Sequence, residues 1–174
     1  AREKADFMLW LGDAWYTREV DYYSEWGLWN RASHDRAVPI LQPFWKAMPH
    51  YGIWDDHDYG PNNSGKSYIL KEASRDVFRA YFPNPSAGEN GQGIYTVVSH
   101  HDVDLFLTDG RWWRSEDRER DSGRLAASLR SLDTPGLQVQ ATSFAASIRA
   151  RRPRHAASGW RKHVISVAAG FGYQ

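Results

Sequence analysis

Asp13 stands two residues after an apolar run, and Asp55, Asp56 and Asp58 surround His57 in the segment Asp55-Asp56-His57-Asp58. Four carboxylates and an imidazole are ligand chemistry for cations that prefer oxygen or mixed oxygen and nitrogen donors, such as Fe, Mn, Zn or Ca. Collecting so many acids costs free energy unless a cation neutralises them. The competing explanation is a solvated acidic turn carrying one surface histidine. Context weighs against it, because the acids follow directly on Ile53-Trp54 and three of them fall within four residues.

Such groups are useful only if the fold brings them together. Phe7-Met8-Leu9-Trp10-Leu11 is apolar without alternation, the pattern of a strand covered on both faces, and it stops at Gly12-Asp13. Tyr51-Gly52-Ile53-Trp54 reads as a second short buried strand that runs into the acidic segment. Residues 35 to 48 read as helix from Val38, Leu41, Phe44, Trp45 and Met48, with Pro39 and Pro43 shortening or kinking it. A clearer helix is predicted over Ser67 to Phe82, with Ile69, Ala73, Val77, Ala80 and Tyr81 on one face and Pro83 as the stop. Ile94 to Ser99 and Val103 to Asp109 are β-prone runs close enough to form an antiparallel hairpin. The order β, α, β, α, β-β predicts a layered α/β architecture, with polar residues gathered at strand ends where open sheets bind ligands.

These residues carry a family resemblance. Leu11-Gly12-Asp13-Ala14-Trp15-Tyr16 and Ile53-Trp54-Asp55-Asp56-His57-Asp58-Tyr59-Gly60 resemble two signature blocks of the PhoD-like branch of the metallophosphoesterase (calcineurin-like phosphoesterase) superfamily. In that branch the usual Gly-Asn-His-Asp block becomes Trp-Asp-Asp-His-Asp or Glu. The stretch through Tyr95 and the run Phe106-Leu107-Thr108-Asp109-Gly110-Arg111 are similar to it as well, so the resemblance covers roughly residues 6 to 122. It implies an α/β sheet with flanking helices and hydrolysis of phosphate mono- or diesters by two metal ions, Fe and Ca in the family. It further implies that Asp13 bridges the two ions, that Tyr16 ligates one through its phenolate and that Asp56 ligates the other. His57 would then lie beside the phosphate and protonate or hydrogen-bond an ester oxygen. Asp55 and Asp58 would orient the loop and His57, and Arg111 would face substrate phosphate.

The chain departs from the family pattern in three places. No aspartate block precedes the Gly-Asp block, no late histidine block follows Arg114, and Ala14 stands where many relatives have Asn. The expectation is a partial or degraded domain whose activity is impaired, since metal affinity depends on ligand count and supporting geometry.

Two other readings compete. Gly60-Pro61-Asn62-Asn63-Ser64-Gly65-Lys66-Ser67 fits the phosphate-binding pattern GxxxxGK[ST] at every fixed position, with Val103 to Asp109 as a strand ending in an acid. The acids just before Gly60 would repel a triphosphate. A noncatalytic binding module built on Trp10, Trp15, Trp26, Trp29, Trp45 and Trp54 is the other alternative.

The chain has 174 residues, enough for about one domain. It has no cysteine, which excludes disulfides and thiolate metal sites. Residues 1 to 122 hold 14 basic against 20 acidic residues, whereas residues 123 to 174 hold 8 against 1. Eight of the nine Trp lie in the first part, so the Ala/Arg/Ser-rich remainder is expected to be a separate segment, and a frame change in the gene is one way such a join arises. Its arginines, Arg149, Arg151, Arg152 and Arg154, lack interleaved aromatics, and a nucleic-acid partner is not expected. No run approaches the length of a membrane span and no signal peptide is legible, although relatives in the family are mostly secreted or periplasmic.

Overall fold

The structure is a computed structural model that describes residues 4–101 and 103–115 and the backbone of 147–150. Strand β1, Met8–Leu11, lies parallel to β2, His50–Ile53, with Leu11 opposite Ile53. Both strands therefore leave the sheet at the same end, and Gly12-Asp13 emerges next to Trp54-Asp55-Asp56. Parallel pairing demands a long crossover, and helices α1, Glu25–Arg36, and α2, Gln42–Ala47, lie within it. After β2 come one helical turn, α3 at Asp56–Tyr59, and helix α4 at Lys71–Tyr81. The second sheet is antiparallel. Its strands β3, Thr96–His100, β4, Val103–Leu107, and β5, Ser147–Ala150, stand in that order. The architecture is the mixed α/β arrangement of small sheets and flanking helices expected from the sequence.

Several elements differ from that expectation. Helix α1 has no counterpart in the sequence reading, because its apolar residues do not share a face: Leu28 and Ala32 are buried while Trp26 points to solvent. Its start is set by Ser24, whose hydroxyl accepts the N–H of Gly27 at 3.0 Å. The helix expected over 35 to 48 is broken into a 3₁₀ turn at Pro39–Leu41 and the six residues of α2, each opened by a proline in its first turn. Helix α4 begins at Lys71 rather than Ser67. Tyr68 holds the preceding turn by burying its ring and donating its hydroxyl to the carbonyl of Tyr22 at 2.7 Å, which leaves Ile69 exposed. The inner face of α4 is Ser74, Val77 and Phe78, with Ala80 outside. Burying Val77 and Phe78 contributes about 1.5 to 3 kcal/mol each.

The core lies between α4, the ends of β1 and β2, and the hairpin of β3 and β4. Trp15, Trp54, Tyr59, Phe78, Phe82, Ile94, Leu107 and Trp112 fill it. Phe78 and Phe82 stack at 4.6 Å, and Trp54 meets Tyr59 edge-on at 4.9 Å. Phe82 also presses on Gly52: a Cβ there would lie 2.8 Å from the ring, so β2 accepts only glycine where it crosses the aromatic layer. Beside this core the guanidinium of Arg36 lies 4.0 Å from the Trp45 ring centre and 4.6 Å from that of Phe82.

The division at residue 122 and the character of 123 to 174 lie outside the described residues, apart from the backbone of β5. No helix among the described residues is long and apolar enough to cross a membrane.

Candidate metal centre

Gly12 and Asp13 turn the chain away from β1, both with positive φ, +107° and +52°. At Gly12 a side chain is excluded twice over, by its φ and by the Asp55 Cβ that an added Cβ would meet at 2.7 Å. Asp13 pays for a left-handed backbone that an aspartate tolerates better than most residues. On the other corner Asp55 precedes the single turn α3, and its N–H is accepted by the Asp58 carboxylate at 2.9 Å.

Asp58 also joins the two corners. Its carboxylate accepts the backbone N–H groups of Asp13 at 2.6 Å, Ala14 at 2.7 Å and Trp15 at 3.1 Å. Burial pushes the Asp58 carboxyl up to about 7, against hydrogen bonds from Asp55, Trp15 and Asp13 that favour its anion. Thr17 adds a second tie, its hydroxyl donating to the carbonyls of His57 at 2.7 Å and Gly60 at 2.8 Å.

The result is a cluster. One ligand atom each from Asp13, Asp56 and His57 can be chosen so that all lie within 4.8 Å of one another. The Tyr16 hydroxyl donates to Asp13 Oδ2 at 3.2 Å, and its ring stacks on His57 at 4.3 Å. Asp56 is fixed from behind, Oδ1 by the N–H of His57 at 3.1 Å and Oδ2 by that of Asn63 at 2.7 Å. Asp13 Oδ1 is buried and has no hydrogen-bond partner. Burial, then the charges of Asp55 and Asp56, push the Asp13 carboxyl above the usual range. The Asp13 charge in turn pushes the Tyr16 phenol upward. An aspartate with one buried, unpartnered oxygen, clustered with a second carboxylate and an imidazole and bonded by a phenol at its other oxygen, fits a cation. A positive charge there would reverse both upward pushes.

Arg111 was expected to face substrate phosphate and is instead fully buried. Its Nε donates to Asp55 Oδ1 at 2.7 Å, its Nη2 bonds the same oxygen, and that nitrogen lies 3.6 Å from Asp56 Oδ1. The hairpin end that carries it is held by Asp109, which accepts N–H groups from Trp54 Nε1, Ile94, Arg111 and Trp112 at 2.8 to 3.0 Å. In the sequence Asp109 stands as the acid at the end of a strand. Nothing in its spacing points to four donors, because they come from three separate segments.

The glycine-rich segment 60–67 does not build a nucleotide loop. A turn of helix, rather than a strand, feeds Gly60, and α4 starts at Lys71 rather than at the Gly-Lys-Ser itself. The Asn63 amide is taken by Asp56, and Lys66 Nζ donates to Ser115 Oγ at 2.5 Å. Strand β4, the expected acid-ending strand, is antiparallel to β3. The six tryptophans do not form one surface either: Trp15 and Trp54 are core, Trp10 and Trp45 stack at 5.2 Å, and Trp26 is 74 % exposed.

The strand ends and the hairpin behind them define part of a layered α/β domain with its polar groups at one end of a parallel pair. That arrangement is similar to part of the fold of a PhoD structure, with a TM-score of 0.55 and 20 % identity over 69 % of the chain. The chain spans 29 % of that protein. No family model matches the sequence, and no curated protein matches it.

Proposed function

We propose that the chain carries a cation-binding centre of the phosphoric ester hydrolase type, acting on phosphate mono- or diesters, with turnover impaired in the chain as it stands. The observation that carries this reading is the clustering of ligand atoms from Asp13, Asp56 and His57 within 4.8 Å of one another, together with an Asp13 Oδ1 that is buried and unpartnered. The likeness of the fold to PhoD supports the choice of phosphate esters over other ligands of an oxygen-rich site.

Asp13 and Asp56 would hold the cations, with Tyr16 adding its phenol oxygen beside Asp13. Fe and Ca are the ions the family resemblance proposes. Bound cations supply positive charge that acidifies water and offsets the charge on phosphoryl oxygens. His57 would protonate or hydrogen-bond an oxygen of the ester, and the Tyr16 ring stacked on it fixes the imidazole plane. Arg111 acts from beneath, holding Asp55 and drawing Asp56 toward the floor of the site. Among the described residues Asp13, Asp56 and Tyr16 are a small donor set for two ions, which supports the reading of impaired turnover and leaves His57 to serve the ester oxygen.

The test is calorimetric titration of the full chain with Mn2+ and Ca2+, alongside hydrolysis of p-nitrophenyl phosphate and its bis-ester. Binding is expected in the unmodified chain and is weakened at least tenfold in Asp13→Asn and in Asp56→Asn. Hydrolysis is expected to be no faster than in His57→Ala. Equal cation binding by all three chains removes the centre, and brisk metal-dependent turnover removes the impairment.

A further inference from the structure

We propose that Asp58 is the positioning residue of the centre, the group that converts two separate strand ends into one site by setting the backbone of Asp13. Its functional consequence rests on the cation-binding reading above, while its structural content stands on the hydrogen bonds alone. Three successive N–H groups, those of Asp13, Ala14 and Trp15, converge on one carboxylate. Successive amides pointing inward form an anion-binding concavity, and here the anion is a side chain from the other corner. The same carboxylate holds the N–H of Asp55, at the start of the turn that carries Asp56 and His57.

The geometry explains why Asp13 keeps a φ of +52°. A left-handed non-glycine residue persists where its surroundings over-determine it, and the two N–H bonds that flank its Cα, from Asp13 and Ala14, are among the shortest in the site. That backbone sets where the Asp13 carboxylate goes, with Oδ2 on the Tyr16 hydroxyl and Oδ1 left for a ligand. Asp58 also fixes the spacing of the corners, because Oδ2 bridges Asp13 to Asp55 while Oδ1 serves Ala14 and Trp15. It is 2 % exposed and touches no substrate; it acts through Asp13. An asparagine cannot replace it, since either orientation of the amide turns an NH2 toward two N–H donors.

Native-state amide exchange of the full chain reads this without metal. In the unmodified chain the amides of Asp13, Ala14 and Trp15, although in a corner between elements, are expected to exchange as slowly as interior amides of α4. Loop-like exchange at these positions overturns the proposal with no variant needed. In Asp58→Asn, and to a smaller extent in Asp58→Glu, these amides are expected to speed up ten- to a hundredfold relative to those of α4. Mn2+ titration supplies the functional readout. Asp58→Asn is expected to weaken binding about as much as Asp13→Asn, and the double variant no further, because both act through one carboxylate. Additive losses, or accelerated exchange with unchanged Mn2+ affinity, overturn the positioning role. If the unmodified chain binds no Mn2+, the proposed function fails while the exchange data still decide whether Asp58 holds the corner.

Discussion

Arg111→Met separates a structural arginine from a substrate-facing one. The guanidinium is completely buried, gives two hydrogen bonds to Asp55 and sits 3.6 Å from Asp56. Methionine keeps most of the side-chain volume, so the loss is electrostatic: Asp55 and Asp56 are left facing each other with no compensating charge. Breaking one side of a buried ion pair costs about 3 to 5 kcal/mol, and the 15 % exposure of the Asp55 side chain places this case at the lower end. At roughly 3 °C per kcal/mol for a chain of this size, the midpoint of thermal unfolding drops by about 9 °C. The assay is thermal denaturation followed by tryptophan fluorescence, since Trp54 and Trp112 flank the pair in sequence and stack at 6.4 Å. Adding Asp55→Asn to Arg111→Met removes the stranded charge and is expected to restore part of the loss. If Arg111→Met melts within 2 °C of the unmodified chain yet weakens binding of inorganic phosphate, the buried-pair argument is wrong and the arginine reaches the ligand.

Three further outcomes follow from other features. Gly12→Ala is strained by its φ of +107° and by a 2.7 Å approach to Asp55, so it is expected to cost about 2 to 4 kcal/mol and to weaken Mn2+ binding by prying the corners apart; Gly91→Ala, with φ +76° and open space around it, is expected to cost about 1 kcal/mol in a thermal melt and to leave binding unchanged. Asp21, bonded by Arg18 and Arg31, has its carboxyl held down to about 2. A lowered folded value stabilises above the ordinary carboxylate range and is lost as pH falls through the folded value, so urea midpoints compared at pH 5 and pH 2 should show about 2 kcal/mol of loss that Asp21→Asn lacks.

What the sequence discloses about this fold depends on how local the cause is. Strands β1 and β2 were legible because a buried strand shows as an unbroken apolar run, and the acids stood out because they followed such runs directly. Helix α1 was hidden, since its buried residues Leu28 and Ala32 are interspersed with the outward Trp26 and Trp29. Helix α4 was visible but began late, because Tyr68 is claimed by the Tyr22 carbonyl, a partner 46 residues away. In the site, the meeting of Asp13 with Asp56 and His57 was anticipated from strand ends, and the stacking of Tyr16 on His57 was not. Arg111 differs from the expectation of a phosphate-facing residue for a physical reason: its partner, the half-buried Asp55, lies 56 residues away in the chain and nothing local announces it. The gathering of N–H donors by Asp58 and Asp109 leaves no periodic trace, because it is written in backbone atoms that every residue shares.

The bonds that close the centre span long stretches of polypeptide. Asp58 reaches back 43 to 45 residues to Asp13, Ala14 and Trp15, and Arg111 reaches 56 to Asp55. Loop-closure entropy opposes such distant pairings until both partners are in place, so the cradle is expected to assemble late during refolding. An ion that recognises only the finished cradle would then bind after the slow step. It would lengthen the lifetime of the native molecule by retarding unfolding and leave the rate of its formation nearly untouched.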